Sequence, residues 1–302
     1  MSRPSTNEPR GDGAAFPLGP ALLFCPGNRP DRFAKAAQRA DAVILDLEDA
    51  VAPAGKAEAR TAIHDHLREG ADRERTVVRV NSSGSTEISA DLAALAGTGV
   101  RWIMLAKAES AEDVDVVVRE LPDARVIALC ESARGIRRAE QIASHPSVVA
   151  LMWGAEDLLA DLGGTSSRTA TGEYRQVAKH SRAEVLLSAR SAGAAAIDSI
   201  YADIEDLDGV HTEALDAAAS GFVAKACIHP GHVAQIKSGF APAAEEVEYA
   251  QALLDELARR TGPSLPEATP DDGAFTFRGA MVDAPLIRHA RRVLSRAQEA
   301  RQ

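Results

Sequence analysis

The sequence alternates short apolar runs with longer amphipathic segments, and this alternation constrains the fold more than any other feature. Several runs are apolar at consecutive positions, which is typical of parallel strands buried on both faces. We predict eight strands, at residues 21–25, 42–48, 76–81, 100–106, 125–131, 148–154, 195–200 and 223–228. The segments between them repeat apolar residues at helical spacing, which predicts helices at 30–40, 55–69, 86–96, 110–120, 134–143, 173–193 and 210–221.

Eight strand–helix units in about 250 residues fit an α/β fold, the (β/α)8 TIM barrel. The competing fold is a doubly wound open sheet, which usually carries a glycine-rich phosphate turn after an early strand. Here the first strand runs into "CPGNRP", which lacks that glycine spacing. We therefore favour the barrel, with a C-terminal helical extension.

Composition divides the chain into three parts. Residues 1–19 are predicted to be a disordered tail, residues 20–240 the catalytic barrel, and residues 241–302 a helical extension. In the extension, a helix at 242–260 and a final helix at 283–299 flank a linker, "RTGPSLPEATPDDGAF". The extension is too short for a core of its own, so we expect it to pack on the barrel or on a neighbouring subunit.

Charge and hydropathy exclude several classes of protein. The formal net charge of −10 argues against a nucleic-acid surface, which needs dense Lys and Arg. No apolar run approaches the roughly 20 residues of a membrane helix, and the N-terminus lacks the apolar segment of a secretory signal. The three cysteines are isolated in apolar runs, which fits reduced thiols and a cytoplasmic location.

Two carboxylates end neighbouring predicted strands. Glu131 closes the fifth strand, and Asp157 follows the sixth in "GAED". In barrels of this kind the active site lies at the C-terminal strand ends, and adjacent strands are about 4.8 Å apart. Oxygen ligands without His or Cys favour Mg²⁺, or else Mn²⁺. The alternative is that Glu131 caps the next helix or pairs with Arg134.

Other polar residues share these strand ends. Arg79 lies within the third strand, where an unpaired charge is costly, so it needs a carboxylate or an anionic substrate as partner. Lys107 could be the Schiff-base lysine of a class I aldolase. In "VILDLEDAV", strand alternation places Asp46 and Glu48 on one side and Asp49 on the other.

A basic cluster begins the first predicted helix. Arg29, Arg32 and Lys35, next to Asn28, lie in "PGNRPDRFAKA". The cluster is either a grip for phosphate groups at the barrel mouth or a solvated helix face.

Eight motifs, occurring in order over residues 20–298, resemble the citrate lyase beta subunit-like (CitE-like) family of the HpcH/HpaI aldolase superfamily. The resemblance is nearest to stand-alone actinobacterial CitE-like 3-hydroxyacyl-CoA lyases. The motifs are "LFCPGNRPDRFAKA", "ADAVILDLEDAVAPAGKAEAR", "VVRVN", "IMLAKAESAEDV", "ALCESARGI", "WGAEDLLADLGG", "CIHP" and "GAMVDAPLIRHA".

The resemblance implies a Mg²⁺-dependent barrel, commonly a homotrimer or a dimer of trimers, that cleaves or forms a carbon–carbon bond in a 3-hydroxyacyl-CoA. The metal carboxylates of the family match Glu131 and Asp157, and its substrate-binding arginine matches Arg79. An aspartate that enters the neighbouring subunit's site as acid/base matches Asp283. The family forms no Schiff base, which argues against a covalent role for Lys107, although Ala106 replaces the proline of the family motif.

From this resemblance we expect retro-Claisen cleavage of a citramalyl-, malyl-, citryl- or hydroxymethylglutaryl-CoA to acetyl-CoA and a 2-keto acid. Main-chain N–H groups of the run Gly154, Ala155 and Glu156 would hold the acyl carboxylate, and Glu131 is also expected among the substrate-binding residues. The basic cluster with Asn28 would bind CoA, and Glu48 would orient Arg79 or a metal-bound water. The alternatives are a free-acid aldolase, a malate-synthase or malyl-CoA thioesterase activity, and a non-catalytic subunit of an acyl-carrier lyase complex.

Overall fold

The computed structural model describes residues 16–261 and 274–299. Its contacts divide the chain into two compact units, Met1–Ile236 and Lys237–Gln302. None of the described helices has both the length and the apolar character needed to cross a membrane.

The first unit is a closed barrel of eight parallel strands, in the order of the sequence. Leu22 of the first strand pairs with Ala42 of the second and with Ala226 of the eighth, which closes the cylinder. This confirms the predicted α/β barrel. The strands are β1 (Ala21–Pro26), β2 (Ala42–Asp46), β3 (Thr76–Val80), β4 (Trp102–Leu105), β5 (Arg125–Cys130), β6 (Val148–Trp153), β7 (Ala195–Asp198) and β8 (Ala224–Cys227).

Helices follow the strands on the outside of the barrel. The predicted helix at 134–143 is divided at Arg138, and a short helix after β6 was not predicted. The helices of this unit are α1 (Pro30–Arg39), α2 (Lys56–Arg68), α3 (Ile88–Leu95), α4 (Ala111–Glu120), α5 (Ala133–Arg137), α6 (Ala139–Ala143), α7 (Ala155–Asp161), α8 (Gln176–Ser191) and α9 (Leu207–Ser220).

Local chemistry sets several of these helix boundaries. Pro30 at the first position of α1 supplies a preset φ where an N–H would have no helical partner. Ser110 and Asp113 form a capping box that begins α4, with the Asp113 carboxylate accepting from the Ser110 N–H at 2.9 Å. Gly221 ends α9 with φ of 111°, a conformation that costs glycine little.

Apolar side chains fill the barrel interior, and polar side chains lie at its C-terminal end. The interior cluster includes Leu22, Ile44, Trp102 and Met152, all of them buried. Leu18 also belongs to this cluster and is fully buried. The prediction of a disordered tail is therefore wrong for residues 16–19, while residues 1–15 lie outside the described part of the chain.

The second unit contains a small apolar cluster of its own. Helix α10 (His232–Phe240) leads into it, and α11 (Ala244–Thr261) packs against α12 (Ala284–Glu299) around buried Leu253 and Ile287. The expectation that this segment is too short for a core is therefore wrong. Most of the predicted linker lies outside the described residues.

A hairpin in this unit was not predicted. Strands β9 (Phe275–Phe277) and β10 (Ala280–Val282) pair in antiparallel fashion. Arg278 and Gly279 form the two-residue turn with φ of 46° and 82°. Two positive φ values are typical of the type I′ turn that joins twisted strands.

Candidate functional site

Arg79 lies at the C-terminal end of β3 and is 8% exposed. Its Nε and Nη2 donate to the two oxygens of Asp46 at 2.7 and 2.6 Å, and its Nη1 lies 3.1 Å from Glu48 Oε2. Burial alone would lower the pKa of Arg79, but these acids raise it above its ordinary value, so the guanidinium stays charged. The partner that the sequence required for Arg79 is thus a pair of carboxylates.

Phe24 covers the other side of this guanidinium. Its ring centroid lies 4.8 Å from Arg79 Cζ, in the range of a cation–π contact. Together with Asp46, the ring fixes the plane of the guanidinium. Sequence reasoning missed Phe24, and it named Asp46 without assigning it to Arg79, although the two pair in register at the ends of neighbouring strands. The strand-end argument that found Glu131 would also have identified Asp46 as the partner of Arg79.

The acids after β2 do not follow strand alternation. β2 ends at Asp46, whose carboxylate accepts from the N–H groups of Glu48 at 2.8 Å and Ala50 at 3.0 Å. These bonds turn the chain, so Glu48 and Asp49 both reach the ammonium of Lys107. The prediction that Asp49 lies on the side opposite Glu48 is wrong because the strand is shorter than expected. The predicted contact between Glu48 and Arg79 is present.

Lys107 connects the acids of three loops. Its Nζ contacts Glu48 Oε1 and lies 3.3 Å from Asp49 Oδ2 and 3.5 Å from Asp157 Oδ1, while its N–H donates to Glu131 Oε1 at 3.1 Å. Burial would lower the pKa of Lys107, but the surrounding carboxylates raise it above its ordinary value. A Schiff-base lysine needs a depressed pKa, so this environment opposes that role.

Glu131 and Asp157 come together as the strand order predicts. Glu131 directly follows β5 and is 3% exposed, and Asp157 lies in the first turn of α7 after the adjacent strand β6. Burial, reinforced by the negative charge of Asp157, raises the pKa of Glu131 to about 8. The charge of Asp157 therefore disfavours ionisation of Glu131 in the metal-free protein.

The structural alternative for Glu131 is wrong. Arg134 lies 3.5 Å from Glu109 instead of pairing with Glu131. Helix α5 is capped by Ser132, whose hydroxyl accepts from the N–H of Gly135 at 3.1 Å. Glu131 therefore neither caps α5 nor pairs with Arg134.

The residues present fit a hard divalent cation. Within residues 16–261 and 274–299, no three His, Cys, Asp or Glu side chains form a ready-made metal cage. Mg²⁺ needs only one or two protein carboxylates, because water and substrate oxygens complete its octahedron. Gly154 leaves the space that Glu131 uses, since a Cβ there would lie 2.6 Å from Glu131 Oε2. Glu131 and Asp157 are thus the residues that would hold the ion.

The turn after β6 differs from the prediction in which three amides face a substrate carboxylate. The N–H of Gly154 donates to the carbonyl oxygen of Cys130 at 3.4 Å, and the N–H of Ala155 donates to Ser199 Oγ at 3.3 Å. The Glu156 carboxylate accepts from Ser167 Oγ at 2.6 Å. Two of these three amides are thus directed at protein acceptors.

The predicted CoA-binding cluster lies at the start of α1. Arg29 donates two hydrogen bonds to Asp31, at 2.9 and 2.8 Å, and this pair is exposed. Arg32 and Lys35 are exposed on the helix, and Asn28 is half-buried in the turn before it. An exposed ion pair contributes little, so Arg29 can exchange Asp31 for another anion at small cost.

Asp283 lies in the second unit, between β10 and α12. Its Oδ1 accepts from the N–H of Leu286 at 3.3 Å, and its carbonyl oxygen accepts from the N–H of Ile287 at 3.1 Å. It therefore begins α12 as an N-terminal cap.

A cavity of about 490 Å³ adjoins the site. It lies on the loops that follow β3, β4 and β5, and Lys107, Glu109 and Arg134 are among its lining residues. The space gives solvent and ligands access to the Lys107 side of the acids.

Comparison with known proteins places this geometry in a family. The family model described as "HpcH/HpaI aldolase/citrate lyase" matches residues 21–230, which span the whole barrel. The chain belongs to this family. A citrate lyase subunit beta-like protein of Mycobacterium tuberculosis is 48% identical over 93% of this chain and 97% of its own length. The mitochondrial citramalyl-CoA lyase of Mus musculus is 31% identical over 92% of this chain and 85% of its own length.

A solved structure matches the same architecture. The M. tuberculosis protein CitE, crystallised with magnesium, acetoacetate and coenzyme A, superimposes with a TM-score of 0.82 at 47% identity. The match covers 93% of this chain and 98% of the other. These relatives support a lyase that uses Mg²⁺.

Proposed function

We propose that the protein is a Mg²⁺-dependent carbon–carbon lyase that cleaves a 3-hydroxyacyl-CoA of the citramalyl-, malyl-, citryl- or hydroxymethylglutaryl-CoA type. The products are acetyl-CoA and a keto acid, which is a 2-keto acid from the first three thioesters and the 3-keto acid acetoacetate from hydroxymethylglutaryl-CoA. The observation that carries the proposal is that Glu131 and Asp157 follow the neighbouring strands β5 and β6, in one site with the buried cation Arg79. The magnesium, acetoacetate and coenzyme A held by the M. tuberculosis structure, and the name of the mouse relative, support it.

Glu131 and Asp157 would hold the Mg²⁺. When bound, the ion supplies Lewis acidity and a template for the carboxylate and hydroxyl oxygens of the acyl group. In the retro-Claisen step the hydroxyl oxygen gives its proton to the Asp283 carboxylate of a neighbouring subunit and becomes the keto oxygen, and the electrons of the broken C–C bond form the enolate of acetyl-CoA.

Arg79 stabilises the enolate oxygen. Asp46 and Glu48 engage three of its five N–H donors, and Phe24 packs on its face, so the remaining donors are held in a fixed direction. A preorganised donor of this kind lowers the barrier by about 3–4 kcal/mol. The bidentate contact with Asp46 explains why arginine suits this position better than lysine.

Asp283 of a neighbouring subunit protonates the enolate carbon and gives the methyl group of acetyl-CoA. In the condensing direction the same carboxylate removes that proton. This role requires a homo-oligomer, for which we propose a homotrimer. Asn28, Arg29, Arg32 and Lys35 bind the phosphate groups of CoA.

The decisive experiment assays the four thioesters for keto acid release, with and without Mg²⁺, on the purified full chain. Glu131→Gln and Asp157→Asn should each abolish the Mg²⁺-dependent activity while the protein stays folded by circular dichroism. Glu120→Gln, which removes an exposed carboxylate at the end of α4, is the matched control. Unchanged turnover in either site variant would refute the metal assignment.

The shared site is tested by subunit mixing. Asp283→Asn and Arg79→Ala should each be inactive alone, because each lacks one half of the chemistry. Mixed after confirmed subunit exchange, they should recover part of the activity through sites that contain both wild-type residues. If no activity returns, Asp283 does not act across subunits.

The same assay separates the alternatives. Free CoA that appears with malate, without a keto acid, indicates a thioesterase. Cleavage of a free 4-hydroxy-2-keto acid without CoA indicates an aldolase. A chain that binds no thioester and releases no product with Mg²⁺ is a non-catalytic subunit.

A further inference from the structure

The ammonium of Lys107 lies where three carboxylates converge. Glu48 contacts it directly, and oxygens of Asp49 and Asp157 lie 3.3 and 3.5 Å away. Several carboxylates around one cation is also the arrangement that divalent ions favour. Without the ammonium, the oxygens of Glu48 and Asp49 would be left as competing ligands for an ion held by Glu131 and Asp157.

The main chain of Lys107 acts on the other acid. Its φ of 50° is one of only two positive values among the non-glycine residues in the described part of the chain. In this turn its N–H donates to Glu131 Oε1 at 3.1 Å, and the N–H of Ala108 donates to the carbonyl oxygen of Leu129 at 2.9 Å. A Cβ on Gly135 would lie 2.5 Å from the carbonyl oxygen of Ala108, so α5 packs directly on the turn. Both neighbours hold the left-handed conformation in place.

We propose that Lys107 is a positioning residue that divides the acids of the site between two cations. Its ammonium keeps Glu48 and Asp49 from the metal ion, and its main-chain N–H fixes Glu131 as a ligand. The metal ion therefore occupies one position, at Glu131 and Asp157. This inference rests on the metal site of the proposed function.

A positioning role and a merely structural role for Lys107 lead to different results in a variant that lacks the ammonium. Lys107→Met removes the ammonium and keeps the apolar stem, so Glu48, Asp49 and Asp157 all lose its charge, while Glu48 keeps its contact with Arg79. A metal ion should then bind at least as tightly as before, but partly at the wrong position. Loss of a structural residue would instead weaken metal binding and turnover together.

The test uses Mn²⁺ in place of Mg²⁺ on the full chain, followed by electron paramagnetic resonance and by titration. Lys107→Met should keep or tighten Mn²⁺ binding, change the Mn²⁺ spectrum, and lower kcat by about 10–100-fold, the usual cost of losing an outer-shell partner. Lys107→Arg, which keeps the charge, should retain the wild-type spectrum. Lys179→Met, which removes an exposed lysine paired with Glu173, controls for net charge.

A double variant tests the competition itself. Adding Glu48→Gln to Lys107→Met removes the strongest competing ligand and should restore the wild-type spectrum. The proposal is overturned if Lys107→Met has the wild-type spectrum, if its Mn²⁺ affinity falls in parallel with kcat, or if the double variant keeps the altered spectrum.

The spectra also distinguish this proposal from the proposed function. A wild type that binds Mn²⁺ but cleaves no thioester refutes the lyase activity, and the spectra of the Lys107 variants still decide the role of Lys107. A Glu131→Gln variant with the wild-type Mn²⁺ spectrum refutes the metal pair and, with it, the division of the acids.

Discussion

Gly154→Ala should disable the site without unfolding the barrel. The added Cβ would lie 2.6 Å from Oε2 and 2.8 Å from Cβ of Glu131. Ordinary contacts between non-bonded heavy atoms are about 3.5–4.0 Å, so the two residues must separate by roughly 1 Å. Rotating the carboxylate relieves only the first contact, because the second involves the Cβ of Glu131 itself. The whole Glu131 side chain, or the turn after β6, must move.

The size of the effect follows from this displacement. Misplacing a catalytic group by about 1 Å can cost about 100-fold in rate. Overpacking a buried site costs about 1–3 kcal/mol of stability, which a barrel of this size tolerates. We therefore expect Mg²⁺ affinity to fall by about 10–100-fold and kcat/KM by about 100-fold, with a cooperative thermal transition retained.

Titration with Mg²⁺ and thermal unfolding measure the two effects separately. Gly55→Ala is the matched control, because a Cβ there meets its nearest atoms at 3.5 and 3.6 Å, which is ordinary contact. If Gly154→Ala binds Mg²⁺ and turns over like the wild type, then Glu131 is not confined by the turn and the geometric reasoning fails.

Two further predictions concern charge. Because burial and Asp157 raise the pKa of Glu131 to about 8 in the metal-free protein, Mg²⁺ must displace a proton below that pH. Calorimetry should show Mg²⁺ affinity rising with pH up to about 8. Thermal unfolding in chelator should show stability falling from about pH 5 to 8, because a raised carboxyl pKa favours folding only while the group is protonated. A flat profile in either measurement would contradict this. Asp198 is buried between Lys225 and Arg182, which lower its pKa to about 2 against the cost of burial. Asp198→Asn should therefore lower the free energy of unfolding in urea near pH 7 by about 3–5 kcal/mol. Asp216 is an exposed partner of the same Arg182, and Asp216→Asn should cost less than about 1 kcal/mol. Similar costs for the two variants would refute the burial argument. The Asp198 contribution should fade as the pH falls from about 4 towards 2.

The barrel could be predicted from the sequence because its main signal is local. Each strand is a short apolar run, and the order of runs fixes the order of strands in a closed parallel sheet. Strand ends were less predictable, since seven of the eight predicted strands extend one or two residues past the observed end. At β2 the reason is visible: Asp46 accepts from the N–H groups of Glu48 and Ala50, and side-chain bonds of this kind are not part of the apolar pattern.

The second unit shows what the apolar pattern leaves out. The hairpin sequence "FTFRGAMV" carries only three residues in each strand, which is too short for alternation to be counted. Its usable signal was the dipeptide Arg278–Gly279, since a glycine at the second turn position favours a two-residue turn. Helix α7 was missed for a different reason: its sequence, "AEDLLAD", was interpreted only as a source of ligands.

In the candidate site, strand order could be predicted from the sequence, but contacts between loops could not. The pairing of Glu131 with Asp157 follows from strand order alone, and the structure brings them together. The contacts of Lys107 could not be predicted, because they depend on a left-handed main-chain conformation and on loops from three different strands.

The position of a bound cation depends on which carboxylates are buried and which already have a positively charged partner, and not on where acids are most numerous. The sequence concentrates its acids in "VILDLEDAV", yet Arg79 neutralises Asp46 and Lys107 contacts Glu48 and Asp49. Of the other two acids, Asp157 lies 3.5 Å from the Lys107 ammonium. Burial keeps water from screening the repulsion between Asp157 and Glu131. A divalent ion binds most favourably to carboxylates whose charged form is destabilised by burial and by a neighbouring negative charge. Glu131 meets this condition. The dense cluster instead supplies the counter-charges that keep Arg79 and Lys107 protonated and in place.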